Sequence, residues 1–231
     1  MQIHGFIKST LLDYPKHLAA TVFVGGCNMR CPFCHNASLV LRPHTQPIIS
    51  EDDIMSYLNT RKNILEGVCI TGGEPTLYPD LSLFIEQIKE LGLKVKLDTN
   101  GTNPSLMYEL INKKLIDYVS MDIKNSKDKY KSTAGNKDIS MDKIEESVSL
   151  LISNVIDYEF RTTIVNELHT EQDMKSIGLW IKGAKAYYLQ AYSDSGDVIS
   201  PGFTSPSKET LIQYKELLSP YVDYVGIRGV D

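Results

Sequence analysis

Apolar residues bunch into short β-rich runs, separated by segments in which they recur every three or four positions. The runs are LAATVFV (18–24), GVCIT (67–71), LKVKLDT (93–99), DYVSMDI (117–123), YEFRTTIV (158–165), AYYLQAY (186–192) and DYVGIRG (223–229), each rich in the β-branched and aromatic residues that suit strands. Between them, Ser50 ahead of Glu51, Asp52 and Asp53 makes a helix N-cap with acids in the first turn. Leu81, Phe84, Ile85, Ile88 and Leu91 keep helical spacing until Gly92 stops it. Pro104 can open the next helix, with Leu106, Leu110 and Ile111 as its stripe. Met141, Ile144, Val148, Leu151 and Ile152 mark a fourth helix, and Met174, Ile177, Trp180 and Ile181 a fifth. Strand and helix alternating about six times predict an α/β fold with a parallel sheet and right-handed crossovers. Six repeats fall short of the closed eight-stranded barrel of about 250 residues. The expected architecture is therefore an open, six-stranded partial (β/α)6 barrel. With no internal repeat, low-complexity tract or linker, one domain is expected over residues 1–231: a lead-in at 1–17, then the repeats at 18–231.

Composition narrows the function more than the fold. Apolar residues make up 42% and charged residues 23%, the mix of a globular chain rather than a disordered one. Twenty-four Lys and Arg against 29 Asp and Glu leave a net charge of −5 with no basic block, which argues against nucleic acid or an anionic membrane as partner. No stretch has signal-peptide character or the roughly 18 apolar residues of a spanning helix. The chain has 4 cysteines, too few for a disulfide scaffold, and the expected location is the reduced cytoplasm.

Ligands meet parallel strands at their C-terminal ends, and the distinctive residues of this chain gather there. GGCNMRCPFCHN follows the first run and GGEP the second; Asp98, Asn100 and Gly101 close the third, Asp122 and Lys124 the fourth. Arg161 lies on the fifth, Gln190 and Tyr192 on the sixth. Three thiols within eight residues, Cys27, Cys31 and Cys34, favour a soft metal, either zinc or iron–sulfur iron. Zinc needs a fourth ligand, and His35 is awkwardly adjacent to Cys34. A cubane held by three thiolates leaves one iron open, which makes a reactive site rather than a structural one. Cys69, inside a strand, reads as a small buried hydrophobe. Gly25 and Gly26 permit a sharp turn off the strand. Pro32 and Phe33 either stiffen the loop against an aromatic ligand or shield its metal. His35 is either a hydrogen-bonding neighbour of the metal or a surface histidine, and Gln190 and Tyr192 either line a ligand or pack the core.

CNMRCPFCHN, GGEP and DTNG together resemble the radical S-adenosylmethionine superfamily. Within it, the CHN ending and DTNG are similar to the glycyl-radical-enzyme activating enzymes. The opening IHGFIKSTLLDYPKHLAATVFVGGCN looks closest to the activating proteins of anaerobic ribonucleoside-triphosphate reductases. One departure is Lys16 after Asp13-Tyr14-Pro15, where those proteins are expected to carry glycine.

The resemblance implies a partial barrel of the radical SAM type, with a 4Fe–4S cluster on Cys27, Cys31 and Cys34 whose open iron chelates the methionine end of S-adenosylmethionine. It places Gly72, Gly73 and Glu74 at the cofactor's amino group. Phe33, Asn36, Asp98, Thr99 and Asn100 fall at other cofactor positions. Asp98 and Asp122, both at strand ends, call for charge compensation by a monovalent cation or by the sulfonium; otherwise Asp98 caps the DTNG turn and Asp122 pairs with Lys124. Lys124 and Arg161 hold either the methionine carboxylate or an internal salt bridge. The implied activity is reductive cleavage of S-adenosylmethionine and abstraction of a glycine hydrogen on a partner enzyme. The expected partner is anaerobic ribonucleoside-triphosphate reductase, with flavodoxin or ferredoxin as electron donor. A pyruvate formate-lyase type of activating enzyme, or a small-molecule enzyme such as 7-carboxy-7-deazaguanine synthase, is the alternative.

Overall fold

The computed structural model describes residues 1–230. The strands are β1 (Ile3–Thr10), β2 (Ala19–Val24), β3 (Gly67–Gly72), β4 (Lys94–Thr99), β5 (Tyr118–Asp122), β6 (Asp157–Ile164), β7 (Tyr187–Ala191) and β8 (Val225–Arg228). The helices are α1 (Ala37–Leu41), α2 (Glu51–Arg61), α3 (Leu81–Glu90), α4 (Pro104–Asn112), α5 (Lys127–Thr133), α6 (Met141–Ile152), α7 (Glu171–Trp180) and α8 (Lys208–Leu218). The sheet is 8-stranded, with neighbours in chain order from β1 to β8. β1 is antiparallel to β2, whereas β2–β3–β4 and β6–β7–β8 are parallel. Among the described residues no helix is long and apolar enough to cross a membrane.

By its internal contacts the chain divides into two compact units. One comprises Met1–Cys27, Ser38–Thr99 and Asn103–Ser120; the other comprises Asn28–Ala37, Asn100–Thr102 and the chain from Met121 onward. In the first, strand alternation sends Ala20, Val22, Val68, Ile70, Val95 and Leu97 to one face, all buried. Leu81, Phe84, Ile85 and Ile88 are buried on α3, which packs on β4, and Ile54 and Leu58 on α2, which packs on α3. Each such side chain contributes about 1.5–3 kcal/mol by leaving water. The opposite face carries Thr21, Cys69, Lys96 and Asp98 instead, and the register aligns Thr21, Cys69 and Lys96 across β2, β3 and β4. Ser50 caps α2 by accepting from the Asp53 amide, as its spacing predicts.

In the second unit Phe160, Ile164, Tyr187, Leu189 and Val225 are buried on β6–β8; α6, α7 and α8 contribute Ile144, Val148, Met174, Ile177, Leu211 and Leu218 to the buried core. The Tyr187 hydroxyl donates to Thr162 Oγ1 (2.6 Å), which donates in turn to the Ile123 carbonyl (2.6 Å). Thr170 and Asp173 close a capping box at the start of α7.

The chain between β2 and β8 makes six strand-to-strand connections where six repeats are expected, but they end on a seventh strand, and an eighth precedes them. The expected lead-in contains β1, whose residues do not alternate cleanly; two register shifts interrupt its pairing. α1 and α5 are too short to show a periodic stripe. α8 does have a legible pattern, with Ser207 as cap and Leu211, Tyr214 and Leu218 buried.

Candidate functional site

In the first unit the ends of β2 and β3 are strapped together backbone to backbone. The Gly73 amide donates to the Val24 carbonyl (2.8 Å) and the Glu74 amide to the Gly26 carbonyl (2.8 Å). A Cβ on Gly73 would stand 1.8 Å from the Gly26 oxygen, so only glycine permits this approach. Glu74 is fully buried. Its Oε1 accepts from the Thr76 amide (3.1 Å), the Thr76 hydroxyl (2.6 Å) and the Thr99 hydroxyl (2.7 Å). The GGEP turn is thereby fixed to the end of β4, and the Glu74 carboxylate works first as its anchor. Asp98, one position earlier, is 12% exposed and forms an ion pair with the buried Lys96.

In the second unit the cysteine loop after Cys27 lies on a platform that the sequence did not announce. The Arg30 amide donates to the Ala134 carbonyl (2.9 Å), and Asn136 Nδ2 to the Asn28 carbonyl (2.7 Å). Asn28 also joins the DTNG turn, accepting from Asn100 Nδ2 (2.8 Å) and donating to the Thr102 hydroxyl (2.9 Å). Between these contacts Gly135 has φ +63°, and a Cβ there would meet the Arg30 carbonyl oxygen at 2.0 Å. Glycine after the α5 segment was the available signal. Gly135→Ala is expected to cost about 3 kcal/mol and to lower bound iron after anaerobic reconstitution, measured as iron per chain alongside a thermal melt.

None of the four cysteines is in a disulfide. Cys31 is buried, with Sγ 3.8 Å from the Ala134 carbonyl, and the Cys34 amide turns back to the Cys31 carbonyl (3.0 Å). Phe33 is buried, while Asn36 is half-buried. The His35 ring stacks on Tyr192 at 5.5 Å, and His35 Nε2 and the Tyr192 hydroxyl are both buried without a hydrogen-bond partner. Two orphaned polar atoms beside the thiol loop are the deficit that a bound polar group would satisfy. Burial lowers the His35 pKa, aided by Lys124 and opposed by Asp194 and a Ser193 hydrogen bond. Among the described residues no three His, Cys, Asp or Glu side chains converge as a single ion requires. A cubane makes a different demand, since each thiolate binds its own iron.

Asp122 lies between Lys124 Nζ (2.9 Å) and Arg161 Nε (3.0 Å). Burial alone would push its carboxyl pKa up, but the two cations outweigh that and hold it well below the usual range. For Lys124, burial pulls the pKa down, and Asp122 with the Cys31 sulfur drives it above the ordinary lysine value. The internal salt bridge left open above is therefore present.

His169 positions Lys124 from behind, a role with no sequence motif. Its Nδ1 accepts from the Val165 amide (3.1 Å), leaving Nε2 to donate to the Lys124 carbonyl (3.0 Å). Burial holds its pKa below the usual value, outweighing the opposing pull of the Lys124 and Val165 backbone and of Asp173. The unfolded chain therefore binds a proton that the folded one refuses. Stability is expected to fall as pH drops below about 6.5, by up to roughly 1.4 kcal/mol per unit from this residue. Denaturant titrations at pH 7 and pH 5 check this, and His169→Phe should flatten the difference.

Comparison with known proteins gives the family. The model of the Radical SAM superfamily matches residues 21–181. A Methanocaldococcus jannaschii protein named as a glycyl-radical enzyme activating enzyme is 34% identical over 99% of this chain and 96% of its own. The pyruvate formate-lyase-activating enzyme of Clostridium pasteurianum is 30% identical over 58% of this chain and 57% of its own. Among solved structures, Streptococcus suis SuiB bound to S-adenosylmethionine superposes with a TM-score of 0.69 at 16% identity, covering 90% of this chain and 52% of SuiB. At that identity the likeness is one of fold.

Proposed function

Because the chain belongs to the Radical SAM superfamily, we propose that it is an activating enzyme that installs a glycyl radical on a partner protein. The observation that carries this reading is end-to-end similarity to a relative named for that role, over 99% of this chain. Cys27, Cys31 and Cys34 would hold the 4Fe–4S cluster, and three thiols outside any disulfide with orphaned polar atoms beside them fit such a group. When bound, the reduced cluster supplies the electron that splits the sulfonium of S-adenosylmethionine, yielding an alkyl radical able to take hydrogen from glycine.

The chain's own residues bind and orient. Gly72 and Gly73 present backbone at the end of β3, and the buried Glu74 keeps that turn rigid. Lys124 and Arg161, the two cations that flank Asp122, would receive the methionine carboxylate. Asp98, Thr99 and Asn100 at the end of β4 would face the nucleoside, with Phe33 and Asn36 shielding the loop from water.

The partner we propose is anaerobic ribonucleoside-triphosphate reductase, with a flavodoxin or ferredoxin as electron donor. The test is anaerobic: reconstituted and reduced protein, S-adenosylmethionine and the candidate reductase, read by 5′-deoxyadenosine release and electron paramagnetic resonance. A glycyl doublet on the reductase is expected. A doublet on pyruvate formate-lyase alone would reassign the partner, and cofactor cleavage with no protein radical on either would overturn activation.

A further inference from the structure

β4 reads Lys94-Val95-Lys96-Leu97-Asp98-Thr99, and its alternation puts Lys96 and Asp98 on one face. Lys94 reaches water, but Lys96 is only 2% exposed. Its ammonium meets Asp98 Oδ1 and lies 3.6 Å from the Cys69 sulfur, which is itself 3.7 Å from Asp98 Oδ1. Beyond Cys69 in the same row, the buried Thr21 donates to Asp13 (2.6 Å). A lysine at mid-strand on a buried face is a poor choice for stability, since an apolar residue of similar volume is often as good or better. Its presence there asks for another reason, and its place supplies one. Asp98 is nearer the C-terminal end of the strand, where ligands approach, with the ammonium seated one pleat behind it.

We propose that Lys96 is a built-in counter-cation, neutralising and aiming the Asp98 carboxylate at donor groups of S-adenosylmethionine so that no free alkali cation is required there. The inference rests on the proposed cofactor reading and concerns a positioning residue. Asp122 has its own compensation in Lys124 and Arg161, so both strand-end carboxylates are balanced by the chain itself.

The experiment measures S-adenosylmethionine affinity of the reconstituted protein by equilibrium dialysis in sodium, potassium and tetramethylammonium buffers. The unaltered protein should bind equally in all three. Lys96→Met should bind at least tenfold more weakly in tetramethylammonium and recover in part with sodium or potassium, at unchanged iron content. Asp98→Asn should bind weakly in every buffer without recovery. The proposal is overturned if the unaltered protein itself needs an alkali cation, a result that no folding defect in a variant can obscure. It is equally overturned if Lys96→Met binds as the parent does, or if its weakness ignores the cation. An unaltered protein that binds no cofactor in any buffer overturns the proposed function, and this inference with it.

Discussion

Replacing Gly73 with alanine is expected to destabilise the protein by about 3–4 kcal/mol and to abolish cofactor binding. The new methyl carbon would lie 1.8 Å from the Gly26 carbonyl oxygen and 2.7 Å from its carbon. Neither is the end of a flexible side chain, so the strap itself must open. Opening it breaks the hydrogen bonds that the Glu74 amide donates to the Gly26 carbonyl and the Gly73 amide to the Val24 carbonyl, and a buried donor left unpaired costs about 1–3 kcal/mol. Glu74 would move with the turn and release the Thr99 hydroxyl it now accepts from. For a chain of this size each kcal/mol lowers the melting temperature by roughly 2–4 °C. A thermal melt and a dialysis measurement together check the two parts. Wild-type values for both would show that the β2 and β3 ends do not meet as described.

The second large effect separates the cysteines. Serine at Cys27, Cys31 or Cys34 is expected to remove most of the iron–sulfur absorbance after reconstitution and all cofactor cleavage. Serine at Cys69 should leave iron content unchanged. Cys69 is fully buried in β3 beside Lys96, and its sulfur has partners inside the sheet. Its replacement alters packing and a weak polar contact, a matter of about 1 kcal/mol. Iron and sulfide assays on the four variants decide between three and four essential thiols.

Much of this was legible in the residues, for physical reasons that differ from place to place. α3 and α6 announce themselves because an amphipathic stripe is a local property. β1 escaped because bulged pairing breaks the alternation that would reveal it. The platform at Ala134–Asn136 and the His169 contact with the Lys124 carbonyl escaped for another reason. They join backbone to residues 104 and 45 positions away respectively, and nothing local encodes such a meeting. The Lys96–Asp98 pair is an intermediate case. The Lys-x-Asp spacing puts both on one face, but only the structure gives that face as the buried one.

The proposed activity requires an iron that no cysteine holds. Mössbauer spectroscopy of protein reconstituted with iron-57 reports on each iron directly, before and after addition of S-adenosylmethionine. About one quarter of the cluster's signal should shift on addition, as one open iron in four gains nitrogen and oxygen ligands. A spectrum in which no iron responds, or one that shows no 4Fe–4S cluster at all, would contradict it.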